Sequence, residues 1–80
     1  MRRAIVVPEI GVANALISAW YAHPGETVYA GDRVVELLLG AATFDVPAPA
    51  TGMVIERLAA LGDRVAVGQI VGYIEEDAAD

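Results

Sequence analysis

The chain has 80 residues, which is enough for one domain, and its apolar fraction of 56% is sufficient for a compact core. Eleven acidic residues against five arginines give a net charge of −6, which argues against a nucleic acid or an anionic membrane surface as partner. The absence of cysteine excludes disulfides and thiolate metal sites, and no apolar run approaches the roughly 20 residues of a membrane span. We therefore expect one domain over residues 1–80, with 1–3 and 76–80 frayed, in a soluble cytoplasmic protein.

The first half of the chain predicts short strands separated by turns. A β-branched run closes at Pro8, which is typical of a first or edge strand. The apolar stretch from Ala15 to Ala22 is short, contains an aromatic pair and stops before Pro24-Gly25, all of which favour a strand. Arg33 to Leu39 is the next predicted strand, and it leads into the corner Leu38-Leu39-Gly40-Ala41.

The second half continues in the same way. Residues 42–46 alternate between apolar and polar side chains, as in a half-buried strand, and prolines then end the run. Met53 to Ala60 is the most helix-like window, and two further short strands follow it. Because no segment combines helix caps with a long periodic run, the sequence predicts an all-β domain of about eight short strands.

The chain contains an internal repeat at an offset of 37 residues. Residues 25–34 align with 62–71, and the identical pairs are Gly25/Gly62, Val28/Val65, Gly31/Gly68 and Val34/Val71. The paired glycines stand where tight turns need a residue without a Cβ atom. Two copies are too few for a solenoid, so we expect two half-sheets related by a pseudo-two-fold axis, each covering the apolar face of the other.

Five segments, taken in order and spacing, carry a resemblance to a known family. They are PEIG (8–11), Trp20 with HPGETV (23–28), AGDRVVEL (30–37), FDVPAPATG (44–52) and GDRVAVGQIVGYIE (62–75). Together they resemble the lipoyl and biotinyl attachment domains, in particular the lipoyl domains of 2-oxo acid dehydrogenase acyltransferases. The resemblance runs from about Pro8 to Glu75 and implies a flattened β-barrel, the barrel-sandwich hybrid, made of two four-stranded halves.

The attachment hairpin departs from the family pattern. The resemblance places the acceptor lysine of a carrier domain at Ala41, and the 80 residues contain no lysine. Leu38, Leu39 and Gly40 stand where a lipoyl domain has an acid, a small polar residue and an aspartate. Because alanine offers no nucleophile for a ligase to acylate, we expect no cofactor on this chain. The single histidine, His23, has no partner at a fixed spacing, so no catalytic residue, metal site or enzymatic activity is predicted.

The direction of Leu38 decides what the hairpin tip presents. Leu38 has the same strand parity as Glu36, which we expect to be solvated, so Leu38 should point outward. Two interpretations stay open. Either Leu39 turns into the barrel end and Leu38 is one of many tolerated exposed apolar residues, or the tip forms a small contact surface.

Three hypotheses for function follow. The first is a non-catalytic module that docks through Leu38, Leu39, Gly40 and Ala41 on a decarboxylase, acyltransferase or carboxylase subunit that recognises true carriers. The second is a genuine lipoyl or biotin carrier domain whose lysine has been replaced. The third is a structural domain whose exposed tips pair with each other in a weak homo-oligomer.

Overall fold

The computed structural model describes residues 1–77, which form eight strands in two antiparallel four-stranded sheets. The strands are β1 (Arg2–Val6), β2 (Asn14–Trp20), β3 (Thr27–Val28), β4 (Arg33–Leu39), β5 (Ala42–Pro47), β6 (Gly52–Arg57), β7 (Arg64–Ala66) and β8 (Ile70–Glu76). One sheet has the order β1-β8-β6-β3 and the other β5-β4-β2-β7. The predicted all-β fold of two four-stranded halves is confirmed. Within the described residues no helix is long and apolar enough to span a membrane.

The two sheets are related by the repeat. A shift of 37 residues takes β2 onto β6, β3 onto β7 and β4 onto β8. Because β1 and β5 also hold equivalent edge positions, the two sheets have matching strand orders. The turn hydrogen bonds follow the same rule. The N–H of Gly25 donates to the carbonyl oxygen of Val54 at 2.7 Å, and the N–H of Gly62 donates to that of Ile17 at 2.8 Å. Each copy of the repeat therefore accepts a hydrogen bond from the turn of the other copy, as the pseudo-two-fold interpretation requires.

The core lies between the sheets and is apolar throughout the described residues. Its largest fully buried side chains are Ile5, Ile17, Leu37 and Ile74, with Val7, Val34, Val35, Val54, Val65 and Val71. Trp20 packs against one end of this core, and its indole Nε1–H donates to the carbonyl oxygen of Ala59 at 3.0 Å. Because the core occupies the inner faces of both sheets, polar networks and contact surfaces can form only on the outer faces and at the ends of the barrel.

The helix-like window from residue 53 to 60 is a strand followed by a turn. Its backbone pairs with β8 through Met53↔Glu75 and Val54↔Ile74, and with β3 on the other side. These ladder hydrogen bonds, which connect residues far apart in sequence, override the local helix propensity.

Strand pairing extends close to both ends of the described residues. Arg2 and Arg3, which we placed in a frayed segment, pair with Glu75 and Ile74. The N–H of Glu76 donates to the carbonyl oxygen of Met1 at 2.7 Å, so the two ends of the described chain lie side by side. The remaining part of the expected frayed tail, 78–80, lies outside the described residues.

Candidate functional site

The hairpin between β4 and β5 has a two-residue loop, Gly40-Ala41, because Leu39 pairs with Ala42. Gly40 has a φ of 65°, and Ala41 has a negative φ. A glycine with positive φ followed by an ordinary residue is typical of a type II′ turn, whose twist matches that of the flanking strands. Ala41 is therefore held at the exposed tip of the hairpin by a turn that requires Gly40.

The residues at this tip do not fit a cofactor that is attached through a lysine amide. Ala41 is exposed, so a longer side chain at this position would reach solvent, but alanine carries no amine. The 80 residues include no lysine that could take its place. No chemical step through such a group is therefore assigned to this chain.

The two leucines before the turn face opposite ways. Leu39 lies opposite Ala42 and packs against the core, so it closes the barrel end. Leu38 lies on the outer face, opposite Thr43 on one side and Leu16 of β2 on the other. The outward direction that parity predicts for Leu38 is present. Its side chain is half-buried, and that of Leu16 beside it is 37% exposed.

An arginine flanks this outward leucine pair. Arg64 of β7 lies opposite Leu16, and its Nη1 donates to Oδ1 of Asn14 at 3.0 Å. Among residues 1–77 Arg64 takes part in no ion pair. Together with the turn these residues line a shallow depression of about 230 Å³. We call this region the tip surface, and its residues are Asn14, Leu16, Leu38, Gly40 and Arg64.

Sequence reasoning identified Leu38 and Gly40 but missed the other three residues of the tip surface. Leu16, Asn14 and Arg64 join it through strand pairings between β2 and its two neighbours, which the local pattern does not specify. The structure buries Ala15 and Ile17, so Leu16 between them faces outward. The sequence alone could not show this, because all three residues are apolar.

A hydrogen-bonded carboxylate stands next to Leu38 on the outer face. Glu36 is half-buried rather than freely solvated. It accepts hydrogen bonds from the Ser18 hydroxyl at 2.8 Å and from the Tyr21 hydroxyl at 2.9 Å. The bond from Ser18, and then that from Tyr21, holds the pKa of Glu36 below its ordinary value of 4.5. The bond to Glu36 in turn raises the pKa of Tyr21. This network fixes β2 against β4 beside the tip surface.

We expect Glu36→Gln to lower the free energy of unfolding near neutral pH and to matter much less in acid. Because the pKa of Glu36 is lower in the folded than in the unfolded chain, its carboxylate stabilises the fold above the ordinary value of 4.5. That contribution is lost as the pH falls through the folded pKa. Urea midpoints measured from neutral to acid pH should decline more steeply for the parent than for Glu36→Gln. Tyr21→Phe removes one of the two hydrogen-bond donors to Glu36, so the decline of its urea midpoint should lie between those of the other two proteins. Identical pH profiles for the parent and Glu36→Gln would contradict a stabilising role of the Glu36 carboxylate.

Curated proteins similar to this chain are components of multienzyme complexes. The dihydrolipoyllysine-residue succinyltransferase component of the 2-oxoglutarate dehydrogenase complex from Bartonella vinsonii subsp. berkhoffii is 36% identical over 81 residues, covering 99% of this chain and 20% of that protein. The dihydrolipoyllysine-residue acetyltransferase component of the pyruvate dehydrogenase complex from Cupriavidus necator is 38% identical over 76 residues, covering 94% of this chain and 14% of that protein. The chain thus spans a fifth or less of the length of these relatives.

Solved structures and a family model agree with these relatives. The solution structure of the lipoyl domain of the 2-oxoglutarate dehydrogenase complex from Azotobacter vinelandii matches with a TM-score of 0.71 and 25% identity, over 94% of this chain and 100% of that one. A single-chain, multi-domain long-chain acyl-CoA carboxylase matches in fold alone, with a TM-score of 0.82 at 17% identity over 98% of this chain and 7% of that one. The model of the biotin and lipoyl family described as "Biotin-requiring enzyme" matches residues 3–74. The chain belongs to this biotin/lipoyl family, with a domain that resembles the lipoyl domains of 2-oxo acid dehydrogenase acyltransferases.

Proposed function

We propose that this domain is a docking module without a cofactor, which binds a protein subunit of 2-oxo acid dehydrogenase-type or related acyl-transfer or carboxylase machinery. The observation that carries the proposal is the outward pairing of Leu38 with Leu16 directly beside the hairpin turn. The relatives are named as components of such complexes, which supports a protein partner for this chain as well. The partner would be a decarboxylase, acyltransferase or carboxylase subunit.

The chemistry of the tip surface favours one kind of partner feature. Leu16 and Leu38 offer a small apolar area, and Arg64 adds a positive charge on a chain whose net charge is −6. A partner that offers an apolar side chain next to a carboxylate would contact the two leucines and pair with Arg64. Because the depression is small, we expect a weak and reversible complex rather than a permanent one. Leu39 supports the turn from inside and is not part of the proposed contact.

We expect Leu38→Asp to weaken partner binding by about tenfold or more, because it removes the apolar contact and places a carboxylate opposite the acid of the partner. Leu58→Asp is the matched control. Leu58 is 51% exposed on the turn after β6, outside the tip surface, so this variant should bind as the parent does. Titration calorimetry measures the affinities, and circular dichroism checks that both variants are folded. Equal affinities of Leu38→Asp and parent would contradict the tip model.

The partner itself is found by affinity purification of the native protein from its own cells, followed by mass spectrometry. Recovery together with a dehydrogenase-complex or carboxylase subunit is the expected result. Recovery of the protein without any companion and without a modification would contradict the docking proposal and favour the self-associating domain.

A single domain over 1–80, a cytoplasmic location and weak self-association all stay predictions.

A lysine-replaced carrier is the second candidate function. The observation in its favour is that the hairpin keeps a two-residue turn with residue 41 exposed at its tip. This candidate differs from the docking module in what a single added lysine would do, because it predicts that Ala41→Lys becomes acylated.

A further inference from the structure

A second depression lies between the end of β2 and the turn that follows β6. Its volume is about 680 Å³, which is within the range of roughly 300–1,000 Å³ found for small-molecule sites. Trp20, Leu58 and Leu61 supply its apolar lining, and the two leucines are 51% and 68% exposed. We call this depression the tryptophan groove. It shares no residue with the tip surface.

One basic side chain of the groove is left without an acidic partner. The guanidinium of Arg57 lies 5.5 Å from the centroid of the Trp20 ring, and its Nη1 is 3.3 Å from Nδ1 of His23. In the described part of the chain Arg57 forms no ion pair, whereas Arg2, Arg3 and Arg33 each lie near a carboxylate. Arg57 is thus held in place by an aromatic ring and an imidazole, with its charge still available to an anion.

The acid that lines the groove does not neutralise this arginine. Oδ2 of Asp63 accepts a hydrogen bond from the N–H of Ala60 at 2.8 Å, so this carboxylate closes its own turn. The repeat shows the same arrangement in the other half, where Oε1 of Glu26 accepts from the N–H of His23 at 2.7 Å. Asp63 therefore serves the turn that shapes the groove wall, and in the described part of the chain it forms no ion pair with Arg57.

The groove is organised before any ligand arrives. The hydrogen bond from the Trp20 indole to Ala59 fixes the ring, and the ring in turn supports the Arg57 guanidinium. A ligand that used both would order few additional side chains, which reduces the entropic cost of binding.

We propose that the tryptophan groove binds a small carboxylate with an apolar tail. The tail lies on the Trp20 ring between Leu58 and Leu61, and the carboxylate accepts hydrogen bonds from the guanidinium of Arg57. Charge complementarity selects this ligand, because a guanidinium presents a fork of donors that suits a carboxylate, and here it borders apolar surface. The proposal does not depend on the docking function.

The test uses decanoate as the probe, below the concentration at which it forms micelles. Trp20 is the single tryptophan of the chain, so its fluorescence reports on the groove directly. Decylammonium has the same tail with the opposite charge, and acetate has the carboxylate without the tail. We expect decanoate to bind about tenfold or more tightly than either, since a charge-assisted hydrogen bond and the buried tail each contribute.

Two variants separate the groove from general attraction to arginine. Arg57→Gln is expected to weaken decanoate binding by about tenfold. Arg64→Gln is the matched control, because Arg64 also forms no ion pair among residues 1–77 but lies outside the groove. It should leave decanoate binding unchanged. If Arg57→Gln does not fold, the comparison of decanoate with decylammonium on the parent protein decides.

Three results would overturn the proposal. The first is equal binding of decanoate and decylammonium, since the groove would then select only for the tail. The second is no response of Trp20 to decanoate. The third is a change of Trp20 fluorescence with protein concentration alone, accompanied by a dimer in sedimentation, which would show that a second copy of the chain covers the groove.

Discussion

Replacing Ala41 by lysine is expected to create an acceptor that a lipoyl or biotin ligase acylates, while the parent protein stays unmodified. Residue 41 is exposed at the hairpin tip, and its φ is in the ordinary negative range, so a lysine there extends into solvent without backbone strain. Gly40 continues to supply the positive φ that the turn needs. The substitution should change the free energy of unfolding by no more than about 0.5 kcal/mol.

A lysine moved by one residue is the matched control for this experiment. Ala42 is also exposed, but it belongs to β5 and pairs with Leu39, so Ala42→Lys presents its amine beside the ladder instead of at the tip. Intact-mass spectrometry after incubation with ligase, cofactor and ATP should show acylation of Ala41→Lys alone. If neither variant is modified, Leu38-Leu39-Gly40 has lost what the ligase recognises, and the lysine-replaced carrier is excluded. Modification of both would mean that the ligase accepts any exposed lysine.

Gly52→Ala is expected to lower the free energy of unfolding by about 3 kcal/mol or more, a large part of the roughly 5–10 kcal/mol available to a small domain. Gly52 is buried at the start of β6, between β3 and β8. A Cβ atom there would overlap the carbonyl oxygen of Glu75 and lie 2.9 Å from the Cα of Glu76. All of these atoms are backbone, so no side-chain rotation relieves the overlap and β8 must move away.

Gly40→Ala is the comparison that separates crowding from backbone conformation. A Cβ at Gly40 meets no atom within 4 Å, so only the positive φ of 65° penalises it. The expected loss is about 1 kcal/mol. Urea unfolding followed by Trp20 fluorescence measures both variants. A loss for Gly52→Ala equal to or smaller than that for Gly40→Ala would contradict the close approach of β6 and β8.

The local pattern was sufficient for most strands. Arg33 to Leu39 was predicted with the bounds that β4 has, because it stands between a turn and a glycine corner. The repeat predicted the relation between the sheets, since its glycines mark equivalent turns at Gly25 and Gly62. The resemblance, based on motif order and spacing, supplied the closed barrel, which short strands alone do not specify.

What the sequence could not supply depends on contacts between distant residues. The segment 53–60 looks helical until β3 and β8 pair with it. The local sequence does not mark Gly52 as a packing residue, and only the nearness of β8 shows that it is one. Leu16 and Arg64 reach the tip surface through strand pairing, and the tryptophan groove forms where two equivalent turns of the repeat meet. None of these relations leaves a mark in the local composition.

The hydrogen bonds of the turns at Gly25 and Gly62 connect the two copies of the repeat. The bond from Gly25 to Val54 and the bond from Gly62 to Ile17 are one contact made twice, with donor and acceptor exchanged between the halves. Such reciprocity is the property of an isologous interface between two identical subunits. The chain thus has the organisation of a homodimer whose two copies share one backbone. Because one polypeptide chain connects the two copies of the repeat, their association is intramolecular and does not depend on protein concentration.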